Sequence, residues 1–265
     1  MGRSSYVIVG EAAIISVKSL EEAYSDETRK IAEEILATHK RVKGVYAKIE
    51  TAGTLRVQKL IHVAGVEISE TWHRENGIDF HVTLGRVYIN PRLSTEHLRI
   101  AKLLDELHVK HVLDAFAGIG GYAFNIAVHS KNVKHVVAND INYFAYRDML
   151  LSAARNRRRF RAHVTILNDD AKLLPLLLAH HAFDAIIMDN PQFIEEFLEL
   201  PCSLAASKSY LVLFFVAKED EEEERVENLM RRISCLHCKS LQLEPVLDYA
   251  PRKYLYSAVL ACEHR

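Results

Sequence analysis

Four short polar stretches carry the residue types that could do chemistry. They are Asp114-Ala-Phe-Ala-Gly118-Ile-Gly120-Gly121, Asn139-Asp140-Ile-Asn142, Asn168-Asp169-Asp170 and Asp189-Asn-Pro-Gln-Phe193. Each follows a short apolar run of strand character. In an open α/β sheet, ligands bind in the crevice outside the carboxyl ends of the strands, so the four stretches should converge there. Gly118 to Ala123 fits G-x-G-x-x-G/A, and Asp140 lies at the distance of a ribose-binding acid. Glycines in such a turn allow close backbone approach and φ > 0. Taken alone, this pattern permits a nicotinamide cofactor. Two features argue otherwise. Asp114, four residues before the first glycine, suits a ligand with a positive amino group, and the Asp189 stretch adds further polar groups to the same edge.

The surrounding pattern supplies the elements that would hold these residues. From His111 onward, strand-like runs at 111–115, 135–139, 163–167, 185–188 and 209–216 alternate with helical patterns at 122–129, 143–155, 171–180, 195–205 and 222–233. That alternation predicts a mostly parallel, doubly wound sheet, closed by a strand at 254–262. Ahead of it, 96–107 reads as a helix with Ile100, Leu103, Leu104 and Leu107 on one stripe, and 86–93 as a strand stopped by Pro91. The first third combines short β-rich runs, a helix from Ser25 to Lys40 and an alternating meander over 42–83. The expected division is therefore 1–94, a small α+β unit, and 95–265, the α/β unit.

Composition narrows the classes. A net charge of −1 offers no global field for nucleic acid, so any such binding must use a local patch. No apolar run reaches the length of a membrane span, and the start lacks the pattern of a secretion signal, which implies a soluble cytoplasmic protein. Cys235-Leu-His-Cys238 has no second ligand pair to complete a zinc site, and Cys202 and Cys262 stand alone. Cys202 and Cys262 are expected to pack as small apolar side chains, and Cys235 and Cys238 to be structural ahead of a redox or metal role. Arg155, Arg157, Arg158, Arg159 and Arg161 fall within seven residues at a helix end. They suit either a solvated helix cap or contact with phosphates.

The segments together resemble one family. DAFAGIGG, NDIN, LNDD and DNPQF, in that order, are similar to the S-adenosylmethionine-dependent methyltransferase fold. GTLRVQKLIHVAG, ENGIDFHVTLGRVYINPRLSTEHLRIA and DYAPRKYLYSAVL resemble the archaeal and eukaryotic tRNA (guanine-37 N1)-methyltransferases, with their wybutosine-biosynthesis relatives. The likeness runs from about Tyr6 onward and corresponds to the family without its small N-terminal domain. It implies an α/β, Rossmann-like methyltransferase fold with a smaller N-terminal α+β domain, S-adenosylmethionine as cofactor, and a tRNA anticodon stem-loop as partner. No metal and no obligatory protein partner are implied.

Residue by residue, the resemblance assigns Asp114, Phe116, Gly118 and Gly120 to the methionine side of the cofactor. It gives Asp140 to the ribose, Ile141 to the adenine face and Asp169 to the adenine amino group. Asp189 takes the polar position that opens the acceptor-side motif. Glu96 becomes the general base for guanine N1, with Arg56 and Arg92 beside it as the cations that stabilise charge on O6. Arg155 to Arg161 and Arg252 are the expected RNA contacts.

Four departures stand out. His97 replaces a common arginine, Gly121-Tyr122 a proline-phenylalanine, Tyr143 a proline, and Asn190 a leucine. The last shifts the reading of NPQF toward loops that grip amino-group acceptors. Competing expectations are aminocarboxypropyl transfer, a second methylation at carbon in wyosine-type biosynthesis, a non-catalytic RNA-binding module and, more distantly, a nicotinamide oxidoreductase.

Overall fold

The computed structural model describes residues 5–52 and 57–265. Arg56 lies outside these described residues. No helix among them is long and apolar enough to cross a membrane.

The chain begins with β1 (Tyr6–Val9), β2 (Ala12–Ser16), the short α1 (Leu20–Ala23), α2 (Asp26–Thr38), β3 (Gly44–Ala52) and β4 (Val57–Gly65). Ser25 caps α2 by accepting from the Thr28 N–H. The four strands form one sheet in chain order, with β2 and β3 parallel. Ala13, Ile15, Ala32, Ile35 and Val45 make its own small core.

A separate hairpin follows, β5 (Glu70–Glu75) and β6 (Ile78–Thr83), turned by Asn76-Gly77, both at positive φ. The expected meander is therefore two antiparallel pairs in different sheets. The expected strand at 86–93 is not formed. The segment runs without regular structure into a single 3-10 turn, Pro91–Leu93, that leads into α3 (Ser94–Glu106).

Beyond α3 come β7 (His111–Asp114), α4 (Gly121–His129), β8 (His135–Asn139), α5 (Tyr143–Asn156), β9 (His163–Leu167), α6 (Leu174–Leu177) and β10 (Phe183–Met188). The chain ends with α7 (Leu200–Leu204), β11 (Ala205–Lys218), α8 (Glu222–Arg232), β12 (Leu236–Ala250) and β13 (Lys253–His264). The seven-stranded sheet has the order β12-β13-β11-β10-β7-β8-β9, with β13 antiparallel to both its neighbours. Period-two alternation splits each central strand between two cores. Val112, Ile187 and Phe214 face α3, α4 and α5, whereas Leu113, Ile186 and Phe215 face α6, α7 and α8.

The hairpin lies within 1–94, yet it docks on α5 of the larger unit. Thr83 N–H, the Thr83 hydroxyl and the His81 ring all bond the fully buried Asp148 carboxylate at 2.7 Å. Ser152 accepts from His81 N–H at 2.8 Å, and Asn156 bonds both the N–H and the C=O of Asp79. Arg155 reinforces the contact, reaching Asp79 at 3.3 Å with its guanidinium 4.3 Å from the Trp72 ring.

The cysteines correct the sequence expectation. Cys202 on α7 is bonded to Cys235, and Cys238 to Cys262 across β12 and β13. Neighbouring elements of the folded sheet bring each pair together, which linear spacing does not display.

Asp148 anchors the hairpin through three bonds, so Asp148→Ala leaves His81 and Thr83 buried without their acceptor. The variant is expected to lose about 3–5 kcal/mol of stability, read from urea unfolding.

Candidate functional site

Strand order reverses between β7 and β10. From β7 the chain moves outward through β8 and β9, then returns to place β10 on the opposite side of β7. Connections leave to opposite faces, so a crevice opens at the carboxyl ends of these strands. It is lined by the turn after β7, by Asp140 and Ile141 after β8, by Asp170 after β9 and by Asp189 and Asn190 after β10. Glu75 and Phe80 of the hairpin and His97 of α3 close its other side.

The glycine turn is shaped by its backbone. Gly118 and Gly120 have φ of +56° and +95°, in the left-handed region that favours glycine. A Cβ on Gly118 would meet nothing within 4 Å, which leaves the turn open to a guest. Asp140 ties the turn to the end of β8. One carboxylate oxygen accepts Gly118 N–H and the other Asn142 N–H, each at 2.8 Å. Burial raises its pKa, while these two N–H groups pull it back. Ile141 stands 55% exposed on the rim, and Phe116 lies edge-on to Phe197 at 4.8 Å.

Asp114 is completely buried at the end of β7. Its Oδ2 accepts Ala123 N–H at 3.2 Å, while Oδ1 has no hydrogen-bond partner among the described residues. Burial first, and then the charges of Asp189 and Asp140, push its pKa well above the usual carboxylate range. A cationic guest would relieve that repulsion.

Several expected residues sit differently. Asp170, rather than Asp169, is the acid of its pair that lines the crevice. Asp169 instead exchanges backbone bonds with the Asn139 side chain. Glu96 is buried and does not line the crevice. Both its oxygens are taken by Arg99, at 2.7 and 2.8 Å, and Arg99 is further held by Gln242 and Ser257. This i, i+3 pair could have been read from the sequence of α3. Arg92 is exposed and faces an adjoining basin, shared with Lys48 and Gln192, that meets the crevice at Tyr88, Ile89 and Asn90.

The arginine cluster divides in two. Arg155 and Arg159 bond the hairpin at Asp79 and at the Gly77 carbonyl, while Arg157, Arg158 and Arg161 are exposed and carry no ion pair among the described residues. Arg252 sits at positive φ in the turn between β12 and β13, 3.9 Å from Glu219. His97 stands out in the sequence only as a departure, and nothing in the sequence marks Glu75. Their side chains bond at 2.7 Å, and both line the crevice.

The raised pKa of Asp114 sets a pH dependence. The folded state holds this proton more tightly than the unfolded chain, so its contribution to stability falls as pH rises above the ordinary carboxylate range. Asp114→Asn removes the buried charge and keeps an acceptor for Ala123. The ligand-free variant is expected to be more stable by about 0.5–2 kcal/mol near neutral pH. The gap should shrink toward pH 4, as followed by thermal unfolding across pH.

With this geometry in place, comparison with known proteins is specific. The family model of the TRM5/TYW2 methyltransferase domain matches residues 71–241. The tRNA (guanine(37)-N(1))-methyltransferase Trm5b of Pyrococcus abyssi is 32% identical over 256 residues, 95% of this chain and 72% of that protein. A Nanoarchaeum equitans protein, tRNA (guanine(37)-N(1))/4-demethylwyosine(37)-methyltransferase Taw22, is 30% identical, covering 94% of this chain and 97% of that one. The solved complex of aTrm5 and tRNALeu superposes with a TM-score of 0.80 at 27% identity, over 97% of this chain and 71% of that chain. The chain belongs to the TRM5/TYW2 methyltransferase family.

Proposed function

We propose that this protein is an S-adenosylmethionine-dependent tRNA methyltransferase that modifies N1 of guanosine 37, beside the anticodon. The observation that carries the reading is the crevice at the strand reversal, in a chain so similar to Trm5b. It combines an open glycine turn with a buried carboxylate whose Oδ1 lacks a hydrogen-bond partner among the described residues. Asp114 fits the positive amino group of the cofactor, Asp140 the ribose hydroxyls, and Ile141 the adenine face. Asp170, which lines the crevice where Asp169 does not, is taken as the acceptor for the adenine amino group. Phe116 and Gly118 supply the close floor, and Gly120 shapes the turn behind it.

The cofactor, when bound, supplies a sulfonium methyl already activated for in-line displacement. The chain must then present guanine N1 to that methyl, stripped of its proton. Asp189 and Asn190 stand at the acceptor end of the crevice, and Arg92 and Lys48 offer cationic charge in the adjoining basin. Arg157, Arg158, Arg161 and Arg252 are exposed for phosphate contact, which would make tRNA binding weaken with salt. We read the reaction as cytoplasmic, where mature tRNA is used.

A second reading is favoured by the Nanoarchaeum relative, named for both guanine and 4-demethylwyosine, which this chain matches over 97% of that protein's length. Incubating unmodified tRNA and, separately, tRNA carrying the 4-demethylwyosine precursor with labelled cofactor, followed by mass spectrometry of the nucleosides, separates the readings. The expected product is 1-methylguanosine at position 37. A methyl gained on the precursor as well as on guanosine would favour the second reading, and an aminocarboxypropyl group would overturn both.

Asp140→Ala should weaken S-adenosylmethionine by about 1.5–3 kcal/mol, since an ionised acceptor is lost. Calorimetric titration reads this directly, and unchanged affinity would remove Asp140 from the ribose.

A further inference from the structure

Two buried polar atoms beside the crevice have no hydrogen-bond partner among the described residues: Asp114 Oδ1 and the Tyr122 hydroxyl. Tyr122 lines the crevice although only 3% of the residue is exposed. Orphaned buried polar atoms are few in folded proteins, and each calls for a reason.

The ring of Tyr122 has little freedom to find a partner within the chain. His97 meets it edge-on at 4.5 Å, and Phe214 packs against it at 5.0 Å. His97 is itself fixed by Glu75 at 2.7 Å. The charges that weigh most on the hydroxyl are those of Asp189, Glu96 and Asp114, opposed by Arg99. Burial, reinforced by the three carboxylates, keeps the phenol protonated far above the ordinary tyrosine range. A neutral oxygen in negative surroundings suits a cationic N–H donor.

We propose that Tyr122 is a further cofactor-binding residue, whose hydroxyl oxygen joins Asp114 Oδ1 in accepting hydrogen bonds from the α-ammonium group of S-adenosylmethionine. The assignment rests on the methyltransferase reading of the crevice. An ammonium carries three N–H donors, so both orphaned oxygens gain a partner at once.

Tyr122→Phe tests the assignment with little risk to folding. Calorimetry on the native and variant proteins would use three ligands. S-adenosylmethionine and S-adenosylhomocysteine both carry the ammonium group, and only the first carries the sulfonium. 5′-Methylthioadenosine lacks the amino-acid arm altogether. The variant is expected to bind the first two about tenfold more weakly and the third within about twofold of native. Its ligand-free unfolding midpoint should stay level or rise, because an unsatisfied buried hydroxyl is gone. Equal weakening of all three ligands, loss confined to the sulfonium ligand, or no change at all would overturn the assignment. A native protein that fails to bind S-adenosylmethionine would overturn the methyltransferase reading, and this assignment with it.

Discussion

The constraint on which the structure depends is the reversal of strand order between β7 and β10. Once adjacent parallel strands send their connections to opposite faces, their carboxyl ends cannot be covered by either layer of helices. Whatever side chains end those strands are left around an open slot. Asp140, Asp170 and Asp189 fall there, with Asp114 buried behind them, and the resulting density of carboxylates works against stability. The fold answers with backbone donors: Gly118 and Asn142 N–H for Asp140, Ala123 N–H for Asp114 and Lys172 N–H for Asp170. What the backbone leaves unsatisfied, as at Asp114, is what a cationic guest can use.

The second wall of the slot is built by a match of spacings. Asp148, Ser152 and Asn156 recur every four residues along α5, a rise of about 6 Å at each step. Thr83, His81 and Asp79 recur every two residues along β6, about 6.6 Å apart. The helix therefore pairs with the strand edge almost as another strand would, side chain to backbone, with the bonds at His81 and Thr83 buried and those at Asp79 partly so. This ladder brings Glu75 and Phe80 to the crevice, and it uses Arg155 and Arg159 for anchoring rather than leaving them free for RNA.

The central strands and the convergence of their polar ends were legible because both follow from short-range pattern. Apolar runs such as His111–Asp114 end in polar residues, and a parallel sheet gathers those ends. Other features depend on neighbours remote in sequence. The β12 strand carries polar and half-exposed residues through most of its length, including Pro245, so its hydrophobic signal was weak. It is held by pairing with β13. The stretch at 86–93 has strand-like alternation but no strand partner, and Gln58 instead bonds the Ile89 carbonyl. The disulfide partners, likewise, are set by sheet register and by the packing of α7.

The departures from the family pattern at 97, 121 and 122 are physically linked. The imidazole of His97 fills the space that a side chain at 121 would need. A Cβ there would come within 2.6 Å of His97 Cε1 and 2.7 Å of its Nε2. Proline at 121 is therefore incompatible with this placement of His97, whereas glycine admits it. With the imidazole seated, Glu75 can bond it from the hairpin and the Tyr122 ring can lie against its edge. Positions 97, 121 and 122 thus form one packing solution. Each looks like an isolated substitution in the sequence, and only the crossing of α3 over the start of α4 joins them.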